Sequence, residues 1–481
     1  MRSPLSTVFV ISAGRVVQIA AGLVAVRLFT SLLSTAEVGN LYLINSLTAF
    51  FGFALLNPVG MYIHRKMNRW VNDGVLLRRF FLYNGYIVAT AAVSVPTIFL
   101  LHHVLAVGGG VSLMQMLVYV VCYLFINTWN QTVVTTFNLL EHRVSFVGYT
   151  LATTILGLVL SVLLVFWSHT AVWWLAGQVA AQAMVTSTAF LHLRYLLGKQ
   201  TIRAHSGNML TGPSLKHVLG FVLPLSMTTL LTWTQSQSYR LIIENRIGLD
   251  YLGKIGLGFS IAANVAAAVE SIAQQVYFPA FYREVSGGDT NVRRNACNSM
   301  FQRTIPLFLS QAMAVTFLAP FLVRILAHVK FEGAFIYVMF AAWIELFRMT
   351  TGILSVAAHA EMRTRAMVMP YLTGSILAVA GVLGGSSLAR YEVAIPAALT
   401  GAGFVTMALM FREMKKIISV KVGIRQIAAS GLATLPCAGA LLFYALRESV
   451  ISSLVILTVS GSYLLITQFI IFRRTPGGTP C

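Results

Sequence analysis

Long apolar runs separated by short polar clusters repeat from one end of the chain to the other. A helix of about 20 apolar residues crosses the hydrocarbon of a bilayer. Helix is the element expected there, because lipid offers no partner to an unbonded backbone N–H or C=O. Fourteen runs meet or approach this length: 6–33, 40–63, 80–101, 112–137, 144–167, 172–193, 218–243, 255–282, 304–326, 334–358, 369–388, 394–411, 427–446 and 450–472. The twelfth is the shortest. The pattern predicts an all-α, polytopic membrane protein of about 14 transmembrane helices.

Composition strengthens this reading. Of the 481 residues, 57% are hydrophobic and 10% charged, against about 25% charged in soluble domains. The longest polar stretch, 194–217, is too short to fold as a separate soluble domain. A net charge of +20 on a soluble chain would suggest nucleic acid, but here its placement gives another reason for it. Lys and Arg collect on the cytoplasmic connections of membrane proteins. With the N-terminus inside, twenty-four of the 34 basic residues fall on inner connections, and five (Arg246, Lys254, Lys330, Arg390 and Arg447) on outer ones. The charge is thus a topology signal that sets both termini in the cytoplasm, and no nucleic-acid partner is expected. The apolar run after Arg2 exceeds the 7–15 or so residues of a cleavable signal and reads as a signal anchor. Cys122, Cys297, Cys437 and Cys481 show neither pairing nor metal-ligand spacing.

An internal repeat is visible in the connections. Arg27 precedes Glu37 and then Gly39, as Arg240 precedes Asp250 and then Gly253. Asp73 with Arg78-Arg79 corresponds to Asp289 with Arg293-Arg294, and Glu141-His142-Arg143 to Glu361-Met362-Arg363. Spans 1–6 and 7–12 therefore read as two copies of one bundle with the same orientation, related by a pseudo-twofold axis along the membrane normal. The expected organisation is an N-terminal six-helix bundle at 1–193, a cytoplasmic linker at 194–217 and a second bundle at 218–411. The remainder, 412–481, holds a cytoplasmic loop, the last two helices and the tail.

Polar residues inside the spans are the candidate functional groups, since a mid-bilayer charge costs at least ~2.5–3.5 kcal/mol and usually faces a protein interior or a wet cavity. Arg15 lies roughly 14 Å into the first span at ~1.5 Å per residue, with Gln18 on the same face, and reads as lining a cavity, as buried against carbonyls or as snorkelling inward. The seventh span carries Trp233, Gln235, Gln237 and Arg240, polar residues around an aromatic that suit a sugar or, equally, helix packing. Asn127, Trp129, Asn130 and Gln131 in the fourth span bear the same two readings. Glu270 is a carboxylate suited to a proton or cation relay, or to an interhelical hydrogen bond. Glu345 and Arg348 stand at i, i+3, placed to line a cavity or to neutralise each other. His64, His142 and His359 are read as loop-edge residues without ligand spacing. No phosphate loop, nucleophile elbow or HExxH occurs, so neither an enzyme activity nor a cofactor or metal is expected.

The stretch from Gly14-Arg15 and Gln18 through Arg27-Leu28, Glu37-Val38-Gly39 and Tyr42, with the loop motifs after the fourth and tenth spans, resembles the Wzx-type O-antigen flippases. These belong to the multidrug/oligosaccharidyl-lipid/polysaccharide (MOP) exporter superfamily. The resemblance implies two six-helix bundles forming a V around a central cavity in the bacterial inner membrane. It implies as cargo an oligosaccharide on undecaprenyl pyrophosphate, flipped to the periplasmic leaflet for polysaccharide biosynthesis. A proton or sodium ion is the implied coupling ion, and membrane lipids and the polysaccharide polymerase machinery are the implied surroundings. Arginine suits the pyrophosphate, because its guanidinium forms paired charge-assisted bonds to phosphate. The expected substrate residues are Arg15, Gln18, Arg240, Trp233, Gln237 and Arg348, and the expected ion-coupling residues Glu270 and Glu345. Three rivals stand beside this, one of them a structural or scaffolding membrane protein, which would not need buried charge in several helices. A multidrug exporter of the same superfamily would need acidic residues in the first six spans, which hold none. An oligosaccharide polymerase would need a large outer loop, whereas the longest, 244–254, is short.

Overall fold

The computed structural model describes residues 4–108, 110–200, 215–287, 289–361 and 363–473. Arg2, Gly109, linker residues 201–214 with Arg203, Met362, Arg474 and Cys481 lie outside the described residues. Within them the chain is helical and contains no strand. The helices are α1 (Pro4–Leu32), α2 (Thr35–Phe51), α3 (Asn57–Asn72), α4 (Leu76–Leu105), α5 (Leu113–Leu139), α6 (Arg143–Trp167), α7 (Ala171–Gln200) and α8 (Leu215–Gln237). There follow α9 (Tyr239–Arg246), α10 (Leu249–Gly287), α11 (Thr290–Leu326), α12 (Phe335–Ala360), α13 (Val368–Gly385), α14 (Tyr391–Ile417), α15 (Ile424–Thr434) and α16 (Val450–Arg473).

Every one of the fourteen apolar runs is helical. Three are interrupted: the second by a π-helical turn, Gly52–Leu56, the seventh between α8 and α9, and the thirteenth by a 3-10 segment, Leu435–Glu448. Among the described residues, twelve segments are long and apolar enough to cross a membrane on length and composition. The other two expected spans are α7 and α12, of 30 and 26 residues, which carry Gln178 and Gln182 in one and Glu345 and Arg348 in the other. Several helices outrun their apolar stretches. The 39-residue α10 reaches Gly287, and α11 begins at Thr290, well before the run at 304. Hydropathy marks only the part of a helix that sits in lipid, and these extensions carry the arginines.

Local chemistry sets the ends and the bends. The sequence Ser34-Thr35-Ala36-Glu37 starts α2, with Ser34 Oγ accepting from the Glu37 N–H at 3.2 Å, the first half of a capping box. Ser112 caps α5 and Asp289 caps α11 in the same manner. Pro58 supplies no N–H to the turn before it, and the helix widens there into the π-turn. Side chains from other helices take up the neighbouring carbonyls: Tyr86 Oη donates to Leu55 O at 2.9 Å and Thr229 Oγ1 to Phe53 O at 2.6 Å.

Contacts divide the chain into two units, Met1–Gly253 and Lys254–Cys481. In the first, α1 packs on α6, α6 on α7, and α5 on α4 and α7, while α2 and α3 pack on α8 and α9. The end expected to face the periplasm is tied by acidic side chains. Glu37 accepts from the Ala171 N–H at 2.6 Å, capping α7, and Glu244 accepts from the Gly108 N–H at 2.8 Å. At Gly248, φ is +123°, a conformation glycine adopts without steric cost. The chain thereby turns sharply and lays the first residues of α10 against α2. The two helix starts meet at a pair of glycines. A Cβ on Gly39 would overlap the carbonyl oxygen of Leu249, and one on Gly253 would overlap that of Thr35. The contact is reciprocal, 35 with 253 and 39 with 249. Thr35 Oγ1 donates to the Asp250 carboxylate alongside.

In the second unit α11 packs on α12, α15, the 3-10 segment and α16, and α14 packs on α12 and α13. A buried polar network fixes the last two spans to α11. Ser310 and Thr434 hydroxyls are 2.7 Å apart, Gln468 Nε2 donates to Ser310 Oγ at 2.8 Å, and Ser430 Oγ donates to Gln468 Oε1 at 3.2 Å.

Candidate functional site

The first unit contains a cavity of about 700 Å³ between α2, the π-turn, α3, α4 and α5. From α2 through the π-turn into α3 the lining positions are 45, 48, 49, 52, 53, 56, 57, 60, 61 and 64, and on α5 they are 123, 124, 127, 128, 131 and 132. Both sets follow helical spacing, so each is one face of its helix. Its polar groups are amides, hydroxyls and one imidazole: Asn45, Asn57, Asn127 and Gln131, with Tyr83, Tyr123 and His64. Among the described residues, no carboxylate, lysine or arginine lines it. Gln131 Nε2 donates to Asn127 Oδ1 at 3.4 Å, joining the two amides along one wall. Such a wall offers neutral donors and acceptors beside aromatic rings, the complement of an uncharged polar ligand.

Only part of this cavity is foreshadowed in the sequence. Asn127 and Gln131 line it, whereas their neighbours serve packing. Asn130 Nδ2 donates to Thr186 Oγ1 at 2.8 Å, and Trp129 packs edge-on against Phe80 and tilted against Phe190. His64, expected at a loop edge, sits within α3 on the cavity wall, because α3 continues to Asn72. Asn45, Asn57, Tyr83 and Tyr123 are not among the residues the sequence singles out. For the two asparagines, the available signal is the small-or-polar stripe at i, i+3, i+4, i+7 through the second span.

The other candidates fall into three separate groups. Arg15 is exposed rather than buried, because α1 packs mainly on α6 and leaves most of its circumference open. Its Nη1 donates to Gln18 Oε1 at 2.9 Å, beside a shallow groove lined by Phe146, Val147 and Thr150 of α6. Trp233, Gln237 and Arg240 face α2. Trp233 is 7% exposed and its Nε1 donates to Ser46 O at 3.0 Å, so the indole is packed and bonded within the protein. Gln237 Oε1 is buried without a hydrogen-bond partner among the described residues. Arg240 donates to Tyr42 O at 3.2 Å, and its guanidinium lies 5.3 and 5.6 Å from the ring centroids of Tyr42 and Tyr239.

The third group lies in the second unit and joins a residue expected to bind substrate with the two expected to couple ions. Arg348 Nε donates to Glu345 Oε2 at 2.6 Å, and Arg348 Nη2 donates to Glu270 Oε2 at 2.8 Å. Gln274, one turn along α10, donates to Glu270 Oε1 at 3.4 Å. Glu345 and Arg348 do pair, as their spacing allowed, but Glu270 is a second carboxylate on the same guanidinium. The ionised cluster carries one negative charge overall. Arg348 is its most open member, with 43% of its side chain exposed against 24% for Glu270 and 13% for Glu345.

No family model matches the sequence, and no curated protein does. Solved structures do match. The lipid II flippase MurJ in an inward closed conformation aligns over 98% of this chain and 99% of its own, with a TM-score of 0.65 at 13% identity. An inward-facing multidrug resistance MATE family transporter of the MOP superfamily aligns over 83% of this chain and 95% of its own, with a TM-score of 0.53 at 15% identity. The eukaryotic MATE transporter AtDTX14 aligns over 88% and 95%, with a TM-score of 0.50 at 14% identity. This chain shares its fold with these solved transporters.

Proposed function

We propose that this chain moves a lipid-linked oligosaccharide, carried on undecaprenyl pyrophosphate, from the cytoplasmic to the periplasmic leaflet of a bacterial inner membrane by alternating access. The observation that carries this reading is the cavity of about 700 Å³ lined by amides, hydroxyls and aromatic rings, with no carboxylate among its described lining residues. Saccharide hydroxyls are neutral donors and acceptors and bind such walls, with ring faces stacking on tyrosine. A cationic drug would leave its charge uncompensated there, which weighs against multidrug export. Likeness of fold over nearly the whole chain to a flippase of a lipid-linked cargo supports the same reading.

The pyrophosphate is assigned to the arginines. Arg15 and Arg348 are exposed, and the hydrogen bond that Arg15 makes to Gln18 leaves its charge without a counter-charge from that partner. Arg240 is occupied by a carbonyl and two rings, and is the weakest of the three candidates. A diphosphate diester bears roughly two negative charges, and each moved outward down an inside-negative potential releases ~2.3 kcal/mol per 100 mV. The surface polysaccharide that would follow is of the O-antigen class, with the chain acting as a transporter and not as an enzyme.

The test is a pair of apolar replacements in the cavity wall, Asn127→Leu with Gln131→Leu, in cells whose surface polysaccharide depends on this chain. Export should fall at least tenfold, with lipid-linked precursor held on the cytoplasmic face and the variant present at normal level. Normal export from the double variant, or efflux of cationic dyes that disappears with it, would overturn the assignment in favour of drug transport.

A further inference from the structure

The geometry points to Arg348 as a guanidinium shared in turn between Glu270 and the diphosphate of the cargo, with protonation of Glu270 as the event that transfers it. This deepens the function proposed above and rests on it. Three observations converge. One guanidinium serves two carboxylates, through Nε to Glu345 and Nη2 to Glu270. The two bonds are unequal in setting, because Glu345 is on the same helix one turn away, whereas Glu270 is reached from α12 across to α10. Glu345 is also the least exposed member and Arg348 the most.

The exchange follows from charge. With both acids ionised, the guanidinium is held through Nε and Nη2 and the cluster is anionic, so it repels a phosphate. A proton taken from water onto Glu270 Oε2 breaks the bond from Arg348 Nη2 and leaves the cluster neutral. Arg348 keeps its charge and its Nε bond to Glu345, and its Nη hydrogens become available to a phosphate oxygen. Gln274 can still donate to Glu270 Oε1. Among the described residues, the charged and titratable groups facing Glu270 are Arg348 and Glu345 from α12 and, within reach of the Arg348 charge, Tyr371 from α13. Proton and anion then bind together rather than in competition: each raises the affinity for the other by the same factor.

The probe is the symmetrical dimethyl diester of pyrophosphate, whose two charges do not change between mildly acidic and mildly alkaline pH. Its binding to the purified full chain in nanodiscs is measured by calorimetry across that range. Wild type should bind it more tightly as pH falls, by about tenfold, the weight of one charge-assisted hydrogen bond. Each diester bound should bring a proton with it, seen as a buffer-dependent heat. Glu270→Gln, which keeps the size of the side chain and cannot ionise, should bind at alkaline pH as tightly as wild type does in acid and should lose the pH slope. Arg348→Ala should bind weakly at every pH. Thermal unfolding of each variant shows whether it is folded. A folded Glu270→Gln protein that keeps the wild-type slope, or absence of binding in both, would overturn the exchange. If export still depends on Asn127 and Gln131 in that case, carriage of the saccharide survives without it.

Discussion

Replacing Gly39 by alanine should loosen the crossing of α2 and α10 from within. The new Cβ would overlap the Leu249 carbonyl oxygen and stand 2.9 Å from its carbonyl carbon, where ordinary contact begins at 3.4 Å. Both obstacles are backbone, which cannot swing aside as a side chain would, so the two helices must separate. Overpacking of this kind costs about 1–3 kcal/mol. That free energy is charged only to the state in which the helices touch. A state in which they are apart gains in relative population by roughly 5- to 150-fold. Val38, next in sequence and 0% exposed, reports the event. In a background without the native cysteines, Val38→Cys should react slowly with a membrane-impermeant maleimide in intact cells. Adding Gly39→Ala should raise that rate by at least fivefold. Gly253→Ala, which meets Gly39 N at 3.1 Å, should do the same. The double replacement should add little, because one separation relieves both clashes. An unchanged rate in well-expressed Gly39→Ala protein would refute the view that this crossing closes and opens.

Two further outcomes are expected. Arg15→Ala should abolish surface polysaccharide without lowering the amount of protein, since the side chain is exposed and bonds to Gln18 at the helix surface; Arg15→Lys should restore export in part, having the charge but not the paired geometry, and full export from Arg15→Ala would remove this arginine from the cargo path. For topology, Lys416→Cys should be labelled only after the inner membrane is opened and Ser449→Cys in intact cells, the reverse pattern being incompatible with cytoplasmic termini.

The sequence makes the fold legible because lipid leaves few options: an apolar run of sufficient length must be helical, and all fourteen are. It is less informative about where helices end, since the last turns of α10 and the first of α11 are polar and resemble loop. The interruption at Gly52–Leu56 is foreshadowed only by Pro58. The site is harder to read, because a polar residue in a span signals a need for partners without naming them. For Trp233 the partner is the Ser46 carbonyl, and for Asn130 the Thr186 hydroxyl. For Asn127 and Gln131 it is each other and an open cavity. Nothing in the immediate sequence distinguishes these cases; the difference lies in which helix stands opposite. Glu345 and Arg348 are recognisable as a pair from their spacing, but Glu270, 75 positions upstream of Glu345, joins them only through the packing of α10 and α12.

The glycine crossing bears on what a sequence can record of a helix contact. Gly39 meets the backbone of residue 249, and Gly253 meets that of residue 35, so what the two helix starts share at this point is the absence of a side chain facing a main-chain carbonyl. Thr35 and Leu249 contribute only their carbonyls to the clash-free fit and are unlike residues, while the two glycines are the same. A contact made from backbone in this way leaves almost no trace in side-chain identity. The residues around it can therefore change freely while two missing methyl groups hold the close approach of the helices.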